Sequence, residues 1–456
     1  MTAARVTLDP SAAIGPVAPR LFGSFVEHLG RCVYTGILEP GHPTADEHGY
    51  RGDVLELVRE LGVTTIRYPG GNFVSGYRWE DGVGPVDERP VRLDLAWHSL
   101  ETNAFGLDEF VRWSRVAGTE TMLAVNLGTR GVAEALDLLE YCNVSAPSAL
   151  AQRRVANGAP DPHDIRVWCL GNEMDGPWQL GHRSADEYGR LAAQVARAMR
   201  QLDPRVELVV CGSSGAGMPT FGDWERTVLA HTYDLVDFIS CHAYYEPVDG
   251  DRASFLASGV DMARFIETVV GIADEVGAAA GSQKRLAISF DEWNVWYLSH
   301  FESVEKITDI DDWPVAPRLL ENVYTVTDAV VVGGLLVTLL RHADRAPAAS
   351  LAQLVNVIAP IMTEPGGPAW RQTIFHPFAL TARLARGVAV PLAFEGPTHE
   401  TARYGAVASL DGVATIEDDG SVAVFVVNRH PERELDIELA LPAGSWALVE
   451  AATVSD

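Results

Sequence analysis

Positive charge is scarce in this chain of 456 residues, which carries 35 Lys and Arg against 62 Asp and Glu and has a net charge of -27. The acidic excess is spread along the whole chain. Because binding to nucleic acid or to an anionic membrane requires clustered Lys and Arg, the composition argues against both partners. A neutral substrate is the better expectation.

Long apolar runs are also missing. The N-terminal stretch MTAARVTLDPSAAIG contains no apolar core of the kind found in signal peptides, and the longest apolar run, residues 329–340, is short and interrupted by glycine. The sequence therefore predicts no signal peptide, no membrane span and a cytoplasmic location. With 47% hydrophobic residues, the chain is nevertheless long enough for one large globular domain and a smaller one.

Cysteine is rare, and its pattern excludes two common uses. The number is odd, no CxxC spacing occurs, and three of the five cysteines lie in strand-like runs. Buried free thiols are therefore expected rather than disulfides or a zinc site. The five are Cys32, Cys142, Cys169, Cys211 and Cys241.

What the chain does have is a repeated alternation of buried-strand and amphipathic-helix patterns. Apolar spacing of three and four between the strands, as in Val54, Leu57, Val58 and Leu61, is typical of helices that cover a sheet. Eight such units predict an α/β fold with a parallel sheet closed into a (β/α)8 TIM barrel. The predicted strands are 21–27, 63–69, 121–128, 165–171, 207–213, 238–244, 286–291 and, less clearly, 347–354.

From about residue 374 the pattern changes to short alternating segments with turn signals, which is typical of an antiparallel β-sandwich. Residues 418–421 read as a hairpin turn between strands at 413–416 and 422–427. The amphipathic strand at 4–9 is detached from the barrel and is expected to join this sheet. The predicted division is 1–18 for the N-terminal strand, 19–373 for the catalytic barrel and 374–456 for the sandwich.

Two carboxylates follow predicted barrel strands at the point where those strands end. RVWCLGNEMD, residues 166–175, places Glu173 after the fourth strand, and LAISFDE, residues 286–292, places Glu292 after the seventh. Taken alone, Glu173 could equally be a loop residue near the start of the helix at Ser184. Since 292 minus 173 is 119 residues, about three strand-helix units separate the acids, which places them on opposite sides of one barrel mouth.

Cleavage of a glycosidic bond needs such a pair of acids. One carboxylic acid protonates the leaving oxygen, while the other carboxylate attacks the sugar or activates water. Trp293 and Trp296, which follow Glu292, suit the apolar faces of a sugar ring.

Other polar residues follow the remaining strands, and together they predict a site. Taken alone, His242 is more often structural, and a buried Arg67 would need a carboxylate partner in either case. Gly70 and Gly71 lack a phosphate-loop pattern, and they predict a sharp turn that lets Asn72 reach the mouth. The strand-end residues are Glu27, His28, Arg67, Asn72, Asn172, Glu173, His242, Tyr244, Asp291, Glu292, Gln353 and Asn356.

The sequence resembles the α-L-arabinofuranosidases of glycoside hydrolase family 51, which belong to the retaining (β/α)8 glycosidase clan. The resemblance is dense from Leu21 to about Phe375 and diffuse beyond. The matching runs are LFGSFVEHLGRCVYTGI, RYPGGNFVSGYRWEDGVGP, CLGNEMDGPWQ, FDEWNVWY, APRLLENVYTVTDA, LRHADR, LAQLVNVIAPIMTE and GGPAWRQTIFHPF.

This resemblance implies Glu173 as general acid/base and Glu292 as nucleophile in the release of terminal α-L-arabinofuranosyl residues from oligosaccharides. It implies no cofactor and no metal, and it suggests a homo-oligomer, commonly a hexamer. Trp97 and Trp296 fall where family members place aromatic walls. The residues implied to hold the furanose or to orient the acids are Glu27, Arg67, Asn72, Asn172, His242, Tyr244 and Gln353.

Elementary electrostatics agrees with these roles. Asn172 can bond the sugar 2-hydroxyl, and Arg67 and Tyr244 can keep Glu292 ionised. Glu173 must be shielded and close to the charge of Glu292 to hold a proton. Carboxyl groups roughly 5 to 5.5 Å apart would give retention of configuration.

Three alternatives remain open or disfavoured. An endo-acting β-glucanase would share the two acids but need an extended cleft, whereas a blind pocket favours arabinofuranose. A non-catalytic carbohydrate-binding barrel is disfavoured because both acids and their supports are present. A metal-dependent sugar isomerase lacks a convincing His/Asp ligand cluster. The acidic segment 299–314 is expected to contribute to the substrate rim.

Overall fold

The computed structural model describes residues 2–455, and a closed barrel of eight parallel strands dominates it. Each strand pairs in parallel with the next, and the eighth closes on the first through Ser350 and Gly23. All eight predicted strand positions are confirmed. The barrel strands are Gly23–Phe25, Thr65–Tyr68, Glu120–Val125, Val167–Leu170, Glu207–Val210, Phe238–Tyr245, Ala287–Val295 and Ala348–Leu351.

Helices surround the barrel, and the longer ones each bury apolar residues along one side. Gly52–Leu61 buries the predicted residues Val54, Leu57, Val58 and Leu61 and ends at Gly62, whose φ of 80° suits a glycine. The other helices are Leu107–Ala117, Val132–Asn143, Ala149–Ala156, Ala185–Leu202, Asp223–Thr232, Arg252–Leu256, Gly259–Ala280, Leu298–His300, Val326–Arg341 and Phe375–Leu384.

The helix Ala185–Leu202 begins where the sequence indicated, but its buried stripe is displaced. Ser184 caps it by accepting a hydrogen bond from the backbone N–H of Glu187. Apolar spacing in the sequence predicts a stripe of Leu191, Val195, Ala198 and Leu202, but Leu202 is 38% exposed, whereas Tyr188 and Met199 are buried. An aromatic ring and a flexible thioether fill the groove here, so counting aliphatic residues alone misplaces the face.

The barrel interior is lined by small and medium apolar side chains, which include Met122, Ala124, Val167, Cys169 and Val209. At its N-terminal end, Arg20 bonds both Glu120 at 2.6 Å and Glu207 at 2.7 Å, joining the ends of the third and fifth strands. All five cysteines are buried and free, as predicted.

A second sheet is built from the C-terminal segment and the N-terminal strand. Thr2–Leu8 pairs with Val388–Glu395 on one side and Leu435–Ala440 on the other, so the detached strand joins this sheet as predicted. Leu410–Ile416 and Val422–Asn428 form the predicted hairpin, with Ile416 opposite Val422. The short strand Gly15–Pro16 completes the six-stranded sheet.

Smaller elements decorate these two bodies. The domain limit at residue 374 remains a prediction. Beyond it, the helix Phe375–Leu384 packs the Phe378 ring edge-on against the Phe22 ring of the barrel, with centroids 6.2 Å apart. Two-stranded sheets pair Arg92–Asp94 with Ser99–Glu101, Ile361–Thr363 with Ala369–Arg371, and Thr398–Thr401 with Gly405–Ala408.

Within residues 2–455, no helix combines the length and the apolar character that crossing a bilayer requires.

Candidate active site

The fourth barrel strand ends in a turn that directs Glu173 into the barrel mouth. Gly171 has φ of 92° and Glu173 has φ of 42°, so the chain passes twice through the left-handed region directly after Leu170. The Glu173 side chain lies almost buried, with 9% of the residue exposed. Its two oxygens are held separately, Oε1 by His242 Nδ1 at 2.9 Å and Oε2 by Trp178 Nε1 at 2.8 Å.

The seventh strand, Ala287–Val295, continues past Glu292, and its register shifts against both neighbouring strands between Ser289 and Trp293. Arg67 Nη1 donates to Glu292 Oε1 at 2.7 Å, and Tyr244 OH donates to Oε2 at 2.7 Å. Glu292 is 5% exposed. Each carboxylate oxygen therefore accepts a hydrogen bond, and the two donors fix the orientation of the Glu292 carboxylate in the mouth.

The two predicted acids are close neighbours. One oxygen of Glu173, one ring nitrogen of His242 and one oxygen of Glu292 all lie within 4.8 Å of one another. Inverting glycosidases separate their carboxyl groups by about 6.5 to 9.5 Å to leave room for a water molecule, whereas retaining enzymes keep them about 5 to 5.5 Å apart. The spacing found here fits direct attack by a carboxylate.

His242 links Glu173 to a third carboxylate. Its Nε2 lies 2.8 Å from Asp291 Oδ1, while its Nδ1 contacts Glu173. Burial works against the charged imidazole, but Glu292, Asp291 and Glu173 outweigh it and raise the pKa of His242 to about 10. At neutral pH the ring is therefore a cation that donates a hydrogen bond from each nitrogen.

Arg67 is the second cation of the mouth. Besides Glu292, it donates from Nη2 to Asn172 Oδ1 at 2.6 Å, and its Nε lies 3.8 Å from Asp291 Oδ2. Burial disfavours the charge of Arg67, yet Asp291 and Glu292 raise its pKa above the usual value. The predicted requirement for a carboxylate partner is met twice over, and the same guanidinium holds Asn172 in place.

Glu27, from the end of the first strand, forms a second anchor in the mouth. Its Oε1 accepts from the backbone N–H of Phe73 at 2.9 Å and from Trp97 Nε1 at 3.0 Å, and its Oε2 accepts from Gln353 Nε2 at 3.1 Å. Burial raises the pKa of Glu27 to about 8. Gln353 and Trp97, predicted separately, thus converge on one carboxyl group.

The pair Gly70 and Gly71 serves this anchor in a way that the sequence did not indicate. A Cβ on Gly71 would lie 2.5 Å from Glu27 Oε2, so the glycine is required by the close approach of that carboxylate. Its backbone, with φ of -25° and ψ of -146°, is neither helical nor extended. Asn72 follows, and its Oδ1 accepts from Asn172 Nδ2 at 3.3 Å.

The two predicted tryptophans lie at the rim and share a neighbour. Trp296 packs edge-on against Tyr244 at 4.8 Å. Phe301 lies 6.1 Å from Trp97 and 6.3 Å from Trp296, between centroids. Because Phe301 belongs to the 299–314 segment, which starts with a π-helical turn at Phe301–Glu305, that segment borders the mouth as expected.

Two strand-end residues lie outside the mouth and have structural roles. His28 bonds Glu101 at 2.7 Å and the Tyr68 hydroxyl at 2.8 Å. Asn356 donates to the Arg31 carbonyl at 2.9 Å and supports a loop.

Three residues of the mouth had no assigned role in the sequence prediction: Asp291, Trp178 and Phe301. Asp291 was visible as the first acid of FDE, but its contacts with His242 and Arg67 depend on how the sixth and second strands are placed beside it. Trp178 and Phe301 come from loops, where no periodic pattern identifies a side chain that turns inward.

The cluster of Glu173, His242 and Glu292 has the spacing of a three-ligand metal site. Both nitrogens of His242 are occupied by hydrogen bonds, and its pKa of about 10 keeps the ring protonated at neutral pH. A metal needs the neutral imidazole, so these residues fit a proton network better than a metal. The expectation of no metal and no cofactor stays a prediction.

Comparison with known proteins agrees with this geometry. Residues 57–255 match the α-L-arabinofuranosidase 1 domain, and residues 291–456 match the α-L-arabinofuranosidase C-terminal domain. The chain is 62% identical to an intracellular exo-α-(1→5)-L-arabinofuranosidase from Streptomyces lividans, with 97% of this chain and 66% of that protein covered. It is 61% identical to an exo-α-(1→6)-L-arabinofuranosidase from Bifidobacterium longum, with 99% of this chain and 88% of the relative covered.

Solved structures give the same result. A family 51 α-L-arabinofuranosidase from Bifidobacterium longum superimposes with a TM-score of 0.92 at 54% identity, covering 96% of this chain and 88% of that one. The arabinose complex of the Thermotoga maritima α-L-arabinofuranosidase gives a TM-score of 0.85 at 35% identity, over 97% and 88%. The barrel, the paired acids and these relatives together establish that the chain belongs to the family 51 α-L-arabinofuranosidases.

Proposed function

We propose that Glu292 is the nucleophile and Glu173 the general acid/base of a retaining hydrolysis of terminal α-L-arabinofuranosides. The observation that carries this assignment is the pair of carboxylates within 4.8 Å whose environments differ. Glu292 receives hydrogen bonds from a guanidinium and a phenol, whereas Glu173 receives them from an imidazole and an indole. Glu173 lies at the edge of the mouth beside Trp178, where a leaving group would depart.

In the first step, Glu292 attacks the anomeric carbon and the bond from that carbon to the leaving oxygen breaks. Glu173 gives its proton to that oxygen, so the leaving group departs as an alcohol. In the second step, Glu173 takes a proton from water, the water oxygen bonds to the anomeric carbon, and Glu292 leaves as a carboxylate. Two displacements restore the original anomeric configuration.

The remaining mouth residues are proposed to bind and orient the sugar. Asn172, held by Arg67, is placed to bond the 2-hydroxyl, an interaction that strengthens as positive charge develops on the ring. Glu27, Asn72 and Gln353 offer acceptors and donors for the other furanose hydroxyls. His242 orients Glu173, and Trp97 and Trp296 flank the ring as aromatic walls.

The substrates are proposed to be arabinofuranose-containing oligosaccharides attacked from the non-reducing end. Relatives named for exo action on (1→5) and on (1→6) linkages are almost equally similar to this chain, which makes these two linkages the first pair to compare. The runner-up, an endo-acting β-glucanase, has no support from these named relatives.

A panel of aryl glycosides tests the assignment. We expect turnover of the α-L-arabinofuranoside and little of the xyloside or glucoside, with the α-anomer of arabinose appearing first by NMR. Preferential cleavage of the glucoside or an inverted first product would contradict it. Addition of a chelator should leave the rate unchanged, and loss of activity would refute the prediction that no metal is needed.

A homo-oligomer, commonly a hexamer in this family, and a cytoplasmic location are also proposed. The location is supported by relatives whose names describe them as intracellular. Light scattering at micromolar concentration that gave a single mass near 49.3 kDa would rule out the oligomer.

A further inference from the structure

A polar cleft of about 470 Å³ lies outside the barrel mouth, between two barrel helices and the C-terminal sheet. It is bordered by the helix Gly259–Ala280, the end of the helix Val326–Arg341 and the strands that carry Asp411 and precede Arg429. None of its lining residues belongs to the active site. Its ionisable residues are Arg264, Glu267, Arg341, His342, Asp411 and Arg429.

Two arginines in this cleft share a single buried carboxylate. Arg341 Nη1 lies 2.6 Å from Asp411 Oδ1, and Arg429 Nη1 lies 3.0 Å from Asp411 Oδ2. The Asp411 side chain is 5% exposed and that of Arg429 is 10% exposed. One buried carboxylate therefore serves two guanidinium groups, and the Arg341 side chain is 31% exposed to water.

Arg429 is affected both by burial and by its charged neighbours. Burial lowers the pKa of Arg429 from its usual value, and the nearby Arg341 adds to this effect against the opposing pull of Asp411. In addition, the buried Nε of Arg341 donates a hydrogen bond to no residue within 2–455. That nitrogen has almost no solvent-accessible surface, so a ligand in the cleft would contact the exposed part of the Arg341 side chain instead.

A third arginine stands at the edge of the cleft. Arg264 is exposed, and its guanidinium lies 5.9 Å from the centre of the Tyr404 ring. Glu267, the other acid here, is 67% exposed and lies 3.6 Å from His342, so water screens it. Three arginines against two carboxylates make this a positive site on a chain whose net charge is -27.

We propose that this arginine cleft (Arg264, Arg341 and Arg429) binds the phosphate group of a small molecule. The planar guanidinium fork matches phosphate oxygens in pairs, and a phosphate would offset the positive charge of a cleft lined by three arginines and two carboxylates. Arg341 ends its helix, whose carbonyl end disfavours an anion, but the partial charge there is smaller than one guanidinium. The acidic surface would repel a polyanion, so the ligand is inorganic phosphate or a monosaccharide phosphate.

Calorimetric titration of the full chain tests this binding, with inorganic phosphate, ribose 5-phosphate and ribose as probes. We expect one site per chain for both phosphates and none for ribose, together with a rise in the melting temperature as each phosphate is added. Tighter binding of ribose 5-phosphate would identify a sugar phosphate as the ligand. Equal affinity would identify inorganic phosphate. Absence of heat and of any thermal shift with both phosphates would overturn the proposal.

Variants locate the binding. Arg264→Gln removes an exposed side chain, so the fold should survive, and phosphate affinity should fall about tenfold or more because one charged hydrogen-bond donor is lost. Arg341→Gln should weaken binding at least as much. The matched control is Arg190→Gln, an exposed helix arginine paired with Asp186 elsewhere, which should leave affinity unchanged. Unchanged affinity in both cleft variants would place the phosphate elsewhere and refute the proposal.

The outcome does not depend on the catalytic assignment. Neither Arg264 nor Arg341 contacts the mouth, so hydrolysis of an aryl arabinofuranoside should be the same in both variants as in the unmodified chain. A failed binding experiment and a failed activity assay are therefore distinguishable.

Discussion

The two ends of the barrel both carry clusters of acidic and basic side chains, but the clusters differ in their exposure to water. At the N-terminal end, Arg20 joins Glu120 and Glu207, and these three side chains are 25%, 33% and 37% exposed. At the mouth, Glu173, Asp291 and Glu292 meet Arg67 and His242, and each of these five side chains is at most 10% exposed.

Exposure makes the difference between the two ends. Water screens the charges of the Arg20 cluster, so its ion pairs contribute modestly to stability and to nothing else. In the mouth, screening is weak, three acids share two cations, and each proton position depends on the others. The charged residues at the N-terminal end of the barrel thus stabilise it, while those at the mouth are arranged for proton transfer.

The largest expected effect comes from removing the proposed nucleophile. Glu292→Ala should lower turnover of an aryl arabinofuranoside by about 10³-fold or more, because no other carboxylate can form the covalent intermediate. The melting temperature should hardly change, since one of three crowded acids is lost. Residual activity above a few per cent in a folded, purified variant would show that the nucleophile is elsewhere.

The next effect separates the two acids by role. Glu173→Ala should slow substrates with poor leaving groups by about 10²- to 10⁴-fold, while activated aryl substrates still form the intermediate. Azide needs no base, so it should restore turnover and yield a glycosyl azide of retained configuration. An inverted azide product, or rescue of Glu292→Ala but not of Glu173→Ala, would reverse the assignment.

A smaller effect is expected from the acid behind His242. Asp291→Asn removes a charge that raises the pKa of His242 to about 10, so that pKa should fall by about one unit or more. The alkaline limb of the pH profile for kcat/KM should move to lower pH, and kcat at neutral pH should fall about tenfold. A lower kcat with an unmoved alkaline limb would indicate damaged packing instead.

The raised pKa of His242 also makes the stability of the fold depend on pH. Because the pKa of His242 is raised above the ordinary value of 6.5, its contribution is complete below about pH 6.5 and is lost as the pH rises through about 10. Asp291→Asn should shift that loss to lower pH in thermal melts.

The smallest effect is expected at the N-terminal end of the barrel. Arg20→Ala should lower the free energy of unfolding by about 1 to 2 kcal/mol, because two partly exposed ion pairs are lost, and should leave kcat within about twofold. Arg190→Ala, which breaks one exposed pair with Asp186, should cost less than about 0.5 kcal/mol. A large fall in kcat for Arg20→Ala with normal stability would show that the N-terminal cluster also affects catalysis, which contradicts the difference between the two ends.

Most of the site was predictable because its residues follow apolar strands. Glu27, Arg67, Asn172, Glu173, His242, Tyr244 and Glu292 each stand at the end of such a run, and a closed parallel barrel brings those ends together. The family resemblance added Trp97 and the individual roles. Trp178 and Phe301 were missed because inward-turning loop residues have no periodic signal.

Apolar periodicity alone determined the eight strands, the hairpin at residues 418–421 and the buried thiols, because burial of apolar side chains depends on local spacing that a sequence displays directly. The tertiary structure decided everything that depends on contact between distant segments. It placed Asp291 between His242 and Arg67, and pressed the Glu27 carboxylate against Gly71. It also brought Arg341 and Arg429 to one carboxylate. Charge interactions depend on distance and burial, and neither is fixed before the strands close into a barrel.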